Sequence, residues 1–226
     1  MSTAADGVER AGSSELLGIA NGSCRLAVLI LALTLLFGIA TTAEAAATKA
    51  SHFVLANGLE LVVIEDNRVP VVTHQLWIKA GSVDESEDNA GIAHFLEHLM
   101  FKGTTTLKPG EFDRLIISSG GVNNAFTTYD STYYFERLPK AKLSLLMQLG
   151  ADRLVNLVIP EAEVAPERGA VIEERRMRVD NQPNGVLGEQ LRAALFPGHA
   201  YGRPILGKRE AVLALDRRKS VEFYQR

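Results

Sequence analysis

Residues 91–104 read GIAHFLEHLMFKGT, and the interpretation of the whole chain starts from this stretch. Its apolar residues recur at helical spacing and a glycine ends the run, which predicts a helix over residues 90–102. On that helix His94 and His98 are four positions apart, on one face and one turn from each other. Both imidazoles can therefore reach the same ion.

Glu97 lies three positions after His94, beside the same helical face. Zinc takes imidazole nitrogen at about 2.0–2.1 Å, favours four ligands and lowers the pKa of a bound water towards ~7. A carboxylate at this position can accept the proton of that water. The order His-x-x-Glu-His is also one of the zinc-peptidase signatures. The five residues indicate metal-assisted hydrolysis of an acyl compound, most simply a peptide bond.

A catalytic zinc usually has three protein ligands, so one ligand must come from elsewhere in the chain. Isolated histidines are candidates, although such residues more often have structural roles: His52, His74 and His199. Residues 167–178, ERGAVIEERRMR, predict a helix with Glu167, Val171 and Glu174 on one face. A carboxylate beside this apolar run needs a partner, which a metal ion would supply. An ordinary solvated helix is the alternative.

The remaining pattern mixes strands and helices. Apolar runs around Asn57-Gly58 predict a two-residue hairpin within residues 51–65. Further strands are predicted at 71–80, 124–128 and 132–138. Further helices are predicted at 109–118, 142–158, 161–180, 187–195 and from 210 onward. Short connections between strands indicate an α+β fold with a largely antiparallel sheet packed with helices.

The segment that precedes the histidine helix, residues 81–89, is acidic and polar, and we expect a loop there. Asp88 or Asn89 is placed to cap the helix, because short polar side chains accept hydrogen bonds from the first N–H groups of a helix.

Composition limits the class of protein. The chain has 226 residues, of which 46% are hydrophobic and 23% charged, as in a globular protein of one or two small domains. The formal net charge of −3 speaks against a nucleic-acid partner. The single cysteine, Cys24, excludes an internal disulfide and a cysteine-based zinc site.

The N-terminal segment has the pattern of a secretory signal. Residues 26–40 carry no charge and would form a helix of about 22 Å, shorter than the ~30 Å hydrocarbon core of a membrane. Small residues follow, with Ala43-Glu44-Ala45 as a typical cleavage site. We predict a signal peptide at 1–45 and a periplasmic or secreted domain at 46–226. An uncleaved anchor at 26–43, with the domain outside the cytoplasm, is the alternative.

The sequence resembles the insulinase, or pitrilysin, family of zinc metallopeptidases, which includes the mitochondrial processing peptidases. Four blocks carry the resemblance in the right order: 91–104, 123–135, 167–178 and 199–207. In that family a glutamate ligand follows the histidine motif by about 76 residues, and Glu174 lies 76 residues after His98. The resemblance therefore implies Zn²⁺ held by His94, His98 and Glu174, with Glu97 as general base.

The resemblance also implies further roles. Glu167 corresponds to a second glutamate that supports the ligands without binding the metal. Asn124 and Ala125 correspond to an edge strand that pairs with an extended substrate. The family fold has two similar α+β halves around a chamber, and this chain matches the first. We therefore expect a C-terminal truncation, and a second homologous half in cis or in trans.

These expectations define a leading hypothesis and two alternatives. The leading hypothesis is a zinc endopeptidase that acts on extended peptides or unfolded proteins. One alternative is an inactive family subunit, and the other is a membrane-anchored scaffold that binds peptides or partners without catalysis. Inactive subunits typically lose motif residues, whereas all four positions are intact here. A scaffold would leave the four ordered blocks unexplained.

Overall fold

The computed structural model describes residues 50–226, so the predicted signal peptide at 1–45 and the alternative anchor at 26–43 lie outside the described residues. Two compact units are distinguished: the described residues 50–66 belong to the first, and Asn67–Arg226 form the second. Within residues 50–226, none of the helices is both long enough and apolar enough to span a membrane.

The described part of the first unit is a β-hairpin. Strand β1 (Ala50–Val54) pairs antiparallel with β2 (Glu60–Ile64). The Leu55 N–H donates to the Leu59 carbonyl at 2.9 Å, and Gly58 between them has φ 84°. The hairpin prediction is confirmed, but the predicted two-residue connection is wrong. Three residues form the loop, with the glycine in the left-handed conformation that this loop length requires.

The second unit contains a three-stranded antiparallel sheet. Its strands are β3 (Val71–Ile78), β4 (Val122–Thr127) and β5 (Thr132–Pro139), in the order β3-β5-β4. All three were predicted, β3 from its alternating pattern and β4 and β5 from their content of Phe, Tyr and Thr, and the α+β class with an antiparallel sheet is confirmed. Among the residues that the structure describes, β4 forms one edge of this sheet.

Seven α-helices lie in the described residues. They are α1 (Ile92–Leu99), α2 (Glu111–Ser118), α3 (Leu143–Val155), α4 (Glu161–Arg175), α5 (Pro183–Leu195), α6 (Arg209–Leu213) and α7 (Arg217–Tyr224). A π-helical turn, Arg176–Asp180, extends α4. The predicted loop at 81–89 contains two short 3₁₀ turns, Ser82–Asp84 and Glu87–Asn89.

Helix α1 lies at the centre of the larger hydrophobic core. Its residues Ile92, Phe95 and Leu99 are fully buried and pack with apolar residues of α4, α6 and α7. From α4 this core includes Val164 and Val171. Burial of this apolar surface holds the two helices that carry the predicted site residues against each other.

The two faces of the sheet differ. On one face Val72 and Leu138 pack with α2 and α3 in a second core. On the opposite face Trp77, Tyr133 and Phe126 are paired across the three strands, with ring centroids 4.4 and 4.6 Å apart. We call these three residues the aromatic ladder. Trp77 is 57% exposed and Phe126 is 44% exposed, so the ladder leaves a substantial apolar surface on the sheet.

A buried ion pair connects the sheet to α3. The Arg153 guanidinium lies 3.2 Å from Glu136 of β5 and stacks 3.9 Å above the Phe112 ring. The second oxygen of Glu136 contacts His74 Nδ1 at 3.0 Å. His74, one of the isolated histidines considered as a metal ligand, is therefore part of this structural network.

Candidate metal centre

The three predicted ligands converge between α1 and α4. His94 and His98 project from α1, and Glu174 projects from the last turn of α4. Glu174 Oε2 lies 3.6 Å from His94 Nε2 and 3.3 Å from His98 Nε2. One donor atom from each residue fits within 4.8 Å of the other two, close enough for a single ion to bind all three.

Local helix geometry explains this convergence. Val171 is fully buried in the core, and Glu167 and Glu174 lie one turn before and one turn after it on the same side of α4. Both carboxylates consequently point at α1. His94 is 5% exposed and Glu97 is 7% exposed, so the polar face of α1 is covered as well.

The protonation states of His94 and Glu174 suit a zinc ion. Burial lowers the pKa of His94 to about 4, which leaves its imidazole neutral with a free lone pair. The hydrogen bond from His98 lowers the pKa of Glu174, which is therefore a carboxylate. Arg178, one turn after Glu174, contacts the Oε1 atom of Glu174 at 2.8 Å. Neutral imidazole and carboxylate are donors that zinc accepts.

Glu167 holds the second ring nitrogen of His98. Its Oε2 lies 3.1 Å from His98 Nδ1, and its Oε1 lies 2.5 Å from Lys102 Nζ. Burial lowers the pKa of His98, but the hydrogen bonds to Glu174 and Glu167 raise it more. Such an outer carboxylate fixes the orientation of a histidine ligand. The contact between Lys102 and Glu167 was not predicted. Lys102 lies one turn after His98, and this spacing could have indicated that it shares the same helical face.

Glu97 lies beside the three-residue group, where the prediction places a general base. The Thr127 hydroxyl of β4 donates a hydrogen bond of 2.6 Å to Glu97 Oε2. Burial raises the pKa of Glu97, and this hydrogen bond opposes the rise. The Thr127 contact was not predicted, because nothing local in the sequence links β4 to α1.

The predicted substrate residues lie on the edge strand near this base. Asn124 and Ala125 belong to β4 and pair with Phe135 and Tyr134 of β5. The Asn124 side chain accepts a hydrogen bond of 2.9 Å from the Ala125 N–H. Since Thr127 of the same strand contacts Glu97, the edge strand and the candidate base are in direct contact. A role for Asn124 and Ala125 in binding substrate stays a prediction.

The other two isolated histidines have partners outside the metal group. His52 lies 3.4 Å from Glu60 within the hairpin. The His199 side chain accepts a hydrogen bond of 3.1 Å from the Tyr201 N–H. Among the described residues, Glu174 and not a further histidine completes the candidate three-residue group.

Known proteases resemble this chain in sequence and in fold. The sequence profile of the insulinase family, peptidase family M16, matches residues 61–209. The zinc protease PqqE of Helicobacter pylori is 38% identical over 178 residues, which are 78% of this chain and 40% of that protein. The beta subunit of the bovine (Bos taurus) mitochondrial-processing peptidase is 35% identical over 75% of this chain and 34% of that subunit.

A solved structure shows the same fold. The first half of the periplasmic protease PqqL from Escherichia coli superposes with a TM-score of 0.71 at 28% identity, and the match covers 79% of this chain and 40% of that one. The chain thus spans only about 40% of the length of the first curated relative.

Proposed function

We propose that this chain, which belongs to the insulinase family (peptidase family M16), is the zinc-binding half of an endopeptidase. The enzyme would cleave extended peptides or unfolded proteins. The convergence of His94, His98 and Glu174 on one point, with Glu97 beside them, is the observation that carries this proposal. The name of the Helicobacter pylori relative, a zinc protease, supports it.

Each residue has a separate task in this proposal. His94, His98 and Glu174 hold the ion, and Glu167 keeps the ring of His98 in place through Nδ1. When bound, zinc supplies a Lewis acid that polarises the substrate carbonyl and acidifies water. Glu97 acts as general base. Since Thr127 fixes Oε2, the other carboxylate oxygen, Oε1, accepts the proton from the attacking water.

The edge strand supports the proposed substrate class. An extended peptide can add to β4 as a further strand, so that main-chain hydrogen bonds bind it with little dependence on its sequence. Asn124 and Ala125 are the residues of β4 that we assign to this contact. A peptide bound there would run close to Glu97, because Thr127 on the same strand contacts that residue.

A second homologous half completes the enzyme in this proposal, either on the same polypeptide or as a separate chain. The chain covers 40% of one relative and 34% of another, which leaves room for such a half in each. We place the enzyme in the periplasm or outside the cell, because a signal-like segment precedes the domain. Retention of that segment as an anchor is the alternative.

Metal analysis and peptide cleavage test the proposal. We expect about one zinc per chain after exhaustive dialysis, and none in a His94→Ala/His98→Ala variant. We also expect the chain, together with its second half, to cleave an unstructured peptide, and cleavage to stop with a chelator and resume with zinc. A wild-type chain without zinc would overturn the proposal. Zinc without cleavage would favour the inactive-subunit alternative.

A further inference from the structure

The first turn of α1 is held by a side chain from outside the helix. The buried carboxylate of Glu85 accepts a hydrogen bond from the Gly91 N–H at 2.8 Å and one from the Ala93 N–H at 2.9 Å. Glu85 is 5% exposed. The first N–H groups of a helix have no partner within the helix, and the two oxygens of Glu85 supply partners for two backbone N–H groups at this end of α1.

The two histidines of the proposed metal site are positioned differently. The ring of His98 is held from behind by Glu167. The Nδ1 atom of His94 is buried and has no hydrogen-bond partner among the described residues. His94 directly follows Ala93, which donates to Glu85. The position of the His94 ring therefore depends on the backbone of the first turn.

We propose that Glu85 is a positioning residue for the ligand His94, and that it acts through the backbone of the first turn of α1. The inference rests on the proposed zinc site. Glu85 does for His94 what Glu167 does for His98, but it holds the main chain instead of the ring.

The sequence block 199–207 keeps Glu85 in place. Arg203 Nη2 donates hydrogen bonds to the carbonyls of Glu85, at 2.7 Å, and Ser82, at 3.3 Å. At the C-terminal end of the block, the Gly207 carbonyl accepts a hydrogen bond of 2.7 Å from Arg175, the residue after Glu174. The block thus contacts the cap of α1 and the ligand-bearing end of α4, which gives this motif a role in aligning the site.

The test compares two glutamates of the same segment. Glu85→Gln keeps the size of the side chain but replaces a carboxylate oxygen with an NH₂ group that faces a backbone N–H. Glu87→Gln makes the same change at an exposed position two residues away and serves as the control. Zinc affinity is measured on the full chain by competition with a chelator, well below the unfolding temperature. Cobalt(II) substituted for zinc reports ligand geometry through its visible spectrum.

We expect Glu85→Gln to weaken zinc binding by about 10–100-fold, as loss of an outer partner typically does, and to change the cobalt spectrum. Glu87→Gln should match wild type in both measurements. A folded Glu85→Gln variant with lower thermal stability but wild-type zinc affinity and cobalt spectrum would overturn the inference, because Glu85 would then be merely structural.

A milder variant covers the case in which Glu85→Gln does not fold. Glu85→Asp keeps the charge but is one methylene shorter, so it cannot reach both N–H groups from the same backbone position. We expect an intermediate loss of zinc affinity, and wild-type affinity would overturn the inference. A wild-type chain that binds no zinc would instead overturn the proposed function, and the inference with it.

Discussion

Glu173 and Glu174 are neighbours in sequence but have different surroundings. Glu174 contacts both histidines, whereas Glu173 is exposed and pairs with Arg176 at 2.9 Å. We expect His94→Ala and His98→Ala to abolish zinc binding. Glu174→Gln should weaken it by more than the ~10–100-fold that an outer partner costs. Glu173→Gln is the matched control and should retain full affinity in equilibrium dialysis. The reverse result for the two glutamates would move the ligand by one position.

Glu97 is assigned as a base and not as a ligand. We therefore expect Glu97→Gln to keep its zinc and to lose ~10²–10⁴-fold in kcat for peptide cleavage, since removal of a general base typically costs that much. The comparison requires the complete two-half enzyme, with Glu173→Gln again as control. Activity within a few-fold of wild type would contradict the role of base, and loss of zinc would make Glu97 a ligand.

We expect Glu85 to make the stability of the fold depend on pH. Burial raises the pKa of Glu85 to about 7, and Asp84 adds to the rise, while the Gly91 and Ala93 N–H groups and Arg203 oppose it. Because the pKa in the folded chain lies above the unfolded value of about 4.5, the fold binds the proton more tightly. The free energy of unfolding should fall as pH rises from about 4.5 to about 7.

Thermal unfolding without metal, measured across that pH window, checks this expectation. Other groups titrate in the same window, so the informative quantity is the difference between wild type and Glu85→Gln. The variant should lose part of the slope of Tm against pH. An identical slope in both proteins would show that Glu85 titrates normally.

At the level of elements, the turn at Gly207 lies against the start of α1. Gly207 has φ 69°, and a Cβ atom there would lie 2.6 Å from the Ala90 carbonyl oxygen. We expect Gly207→Ala to destabilise the chain by more than ~1 kcal/mol, because both the backbone conformation and the close contact oppose a side chain.

Gly188→Ala is the matched control for Gly207→Ala. Gly188 lies within α5, and a Cβ atom there would meet nothing within 4 Å. Alanine is more favourable than glycine in a helix interior, so this variant should be more stable than wild type by ~0.5–1 kcal/mol. Urea unfolding measures both variants. Equal effects of the two substitutions would contradict the tight contact between Gly207 and α1.

The elements that sequence predicts well are those whose pattern is local. The alternation of β3 and the i, i+4 spacing of His94 and His98 each need only one segment. The cap of α1 was predicted at Asp88 or Asn89, but the helix begins after Gly91 and the carboxylate comes from Glu85. A side chain that reaches across a loop follows no fixed spacing, so the sequence did not reveal this contact.

Sequence patterns also fail to predict buried ion pairs between distant elements. Arg153 reads as a polar position of an amphipathic helix, yet it is 1% exposed and pairs with Glu136 of β5. Such a pair depends on two elements that meet only in the folded chain. Glu174, and not Glu173, was chosen as the third ligand from the spacing of about 76 residues in the family that the sequence resembles, and its role as a ligand stays a prediction. The structure brings Glu174 next to both histidines. Helical facing alone left an ordinary solvated helix as an alternative.

At the scale of the whole molecule, we expect the chain alone to bind zinc but to cleave peptides poorly. Hydrolysis requires the substrate to be held in line with the attacking water, and a misplacement of ~1 Å can cost ~10²-fold in rate. Addition of the second half should raise kcat/KM on a mixed peptide library by orders of magnitude. Addition of that half to a Glu97→Gln chain is the control and should raise nothing. A monomeric chain that is equally active alone would contradict the two-half proposal.

The aromatic ladder gives the chain a built-in optical reporter. Trp77 is the single tryptophan of the sequence, and it stands half-exposed on the sheet face opposite α2 and α3. An indole emits at shorter wavelengths when apolar atoms replace the water around it. Any protein or peptide that covers this face with apolar atoms would shift the tryptophan emission of the chain to the blue. Association at that surface can thus be followed by titration without an attached dye.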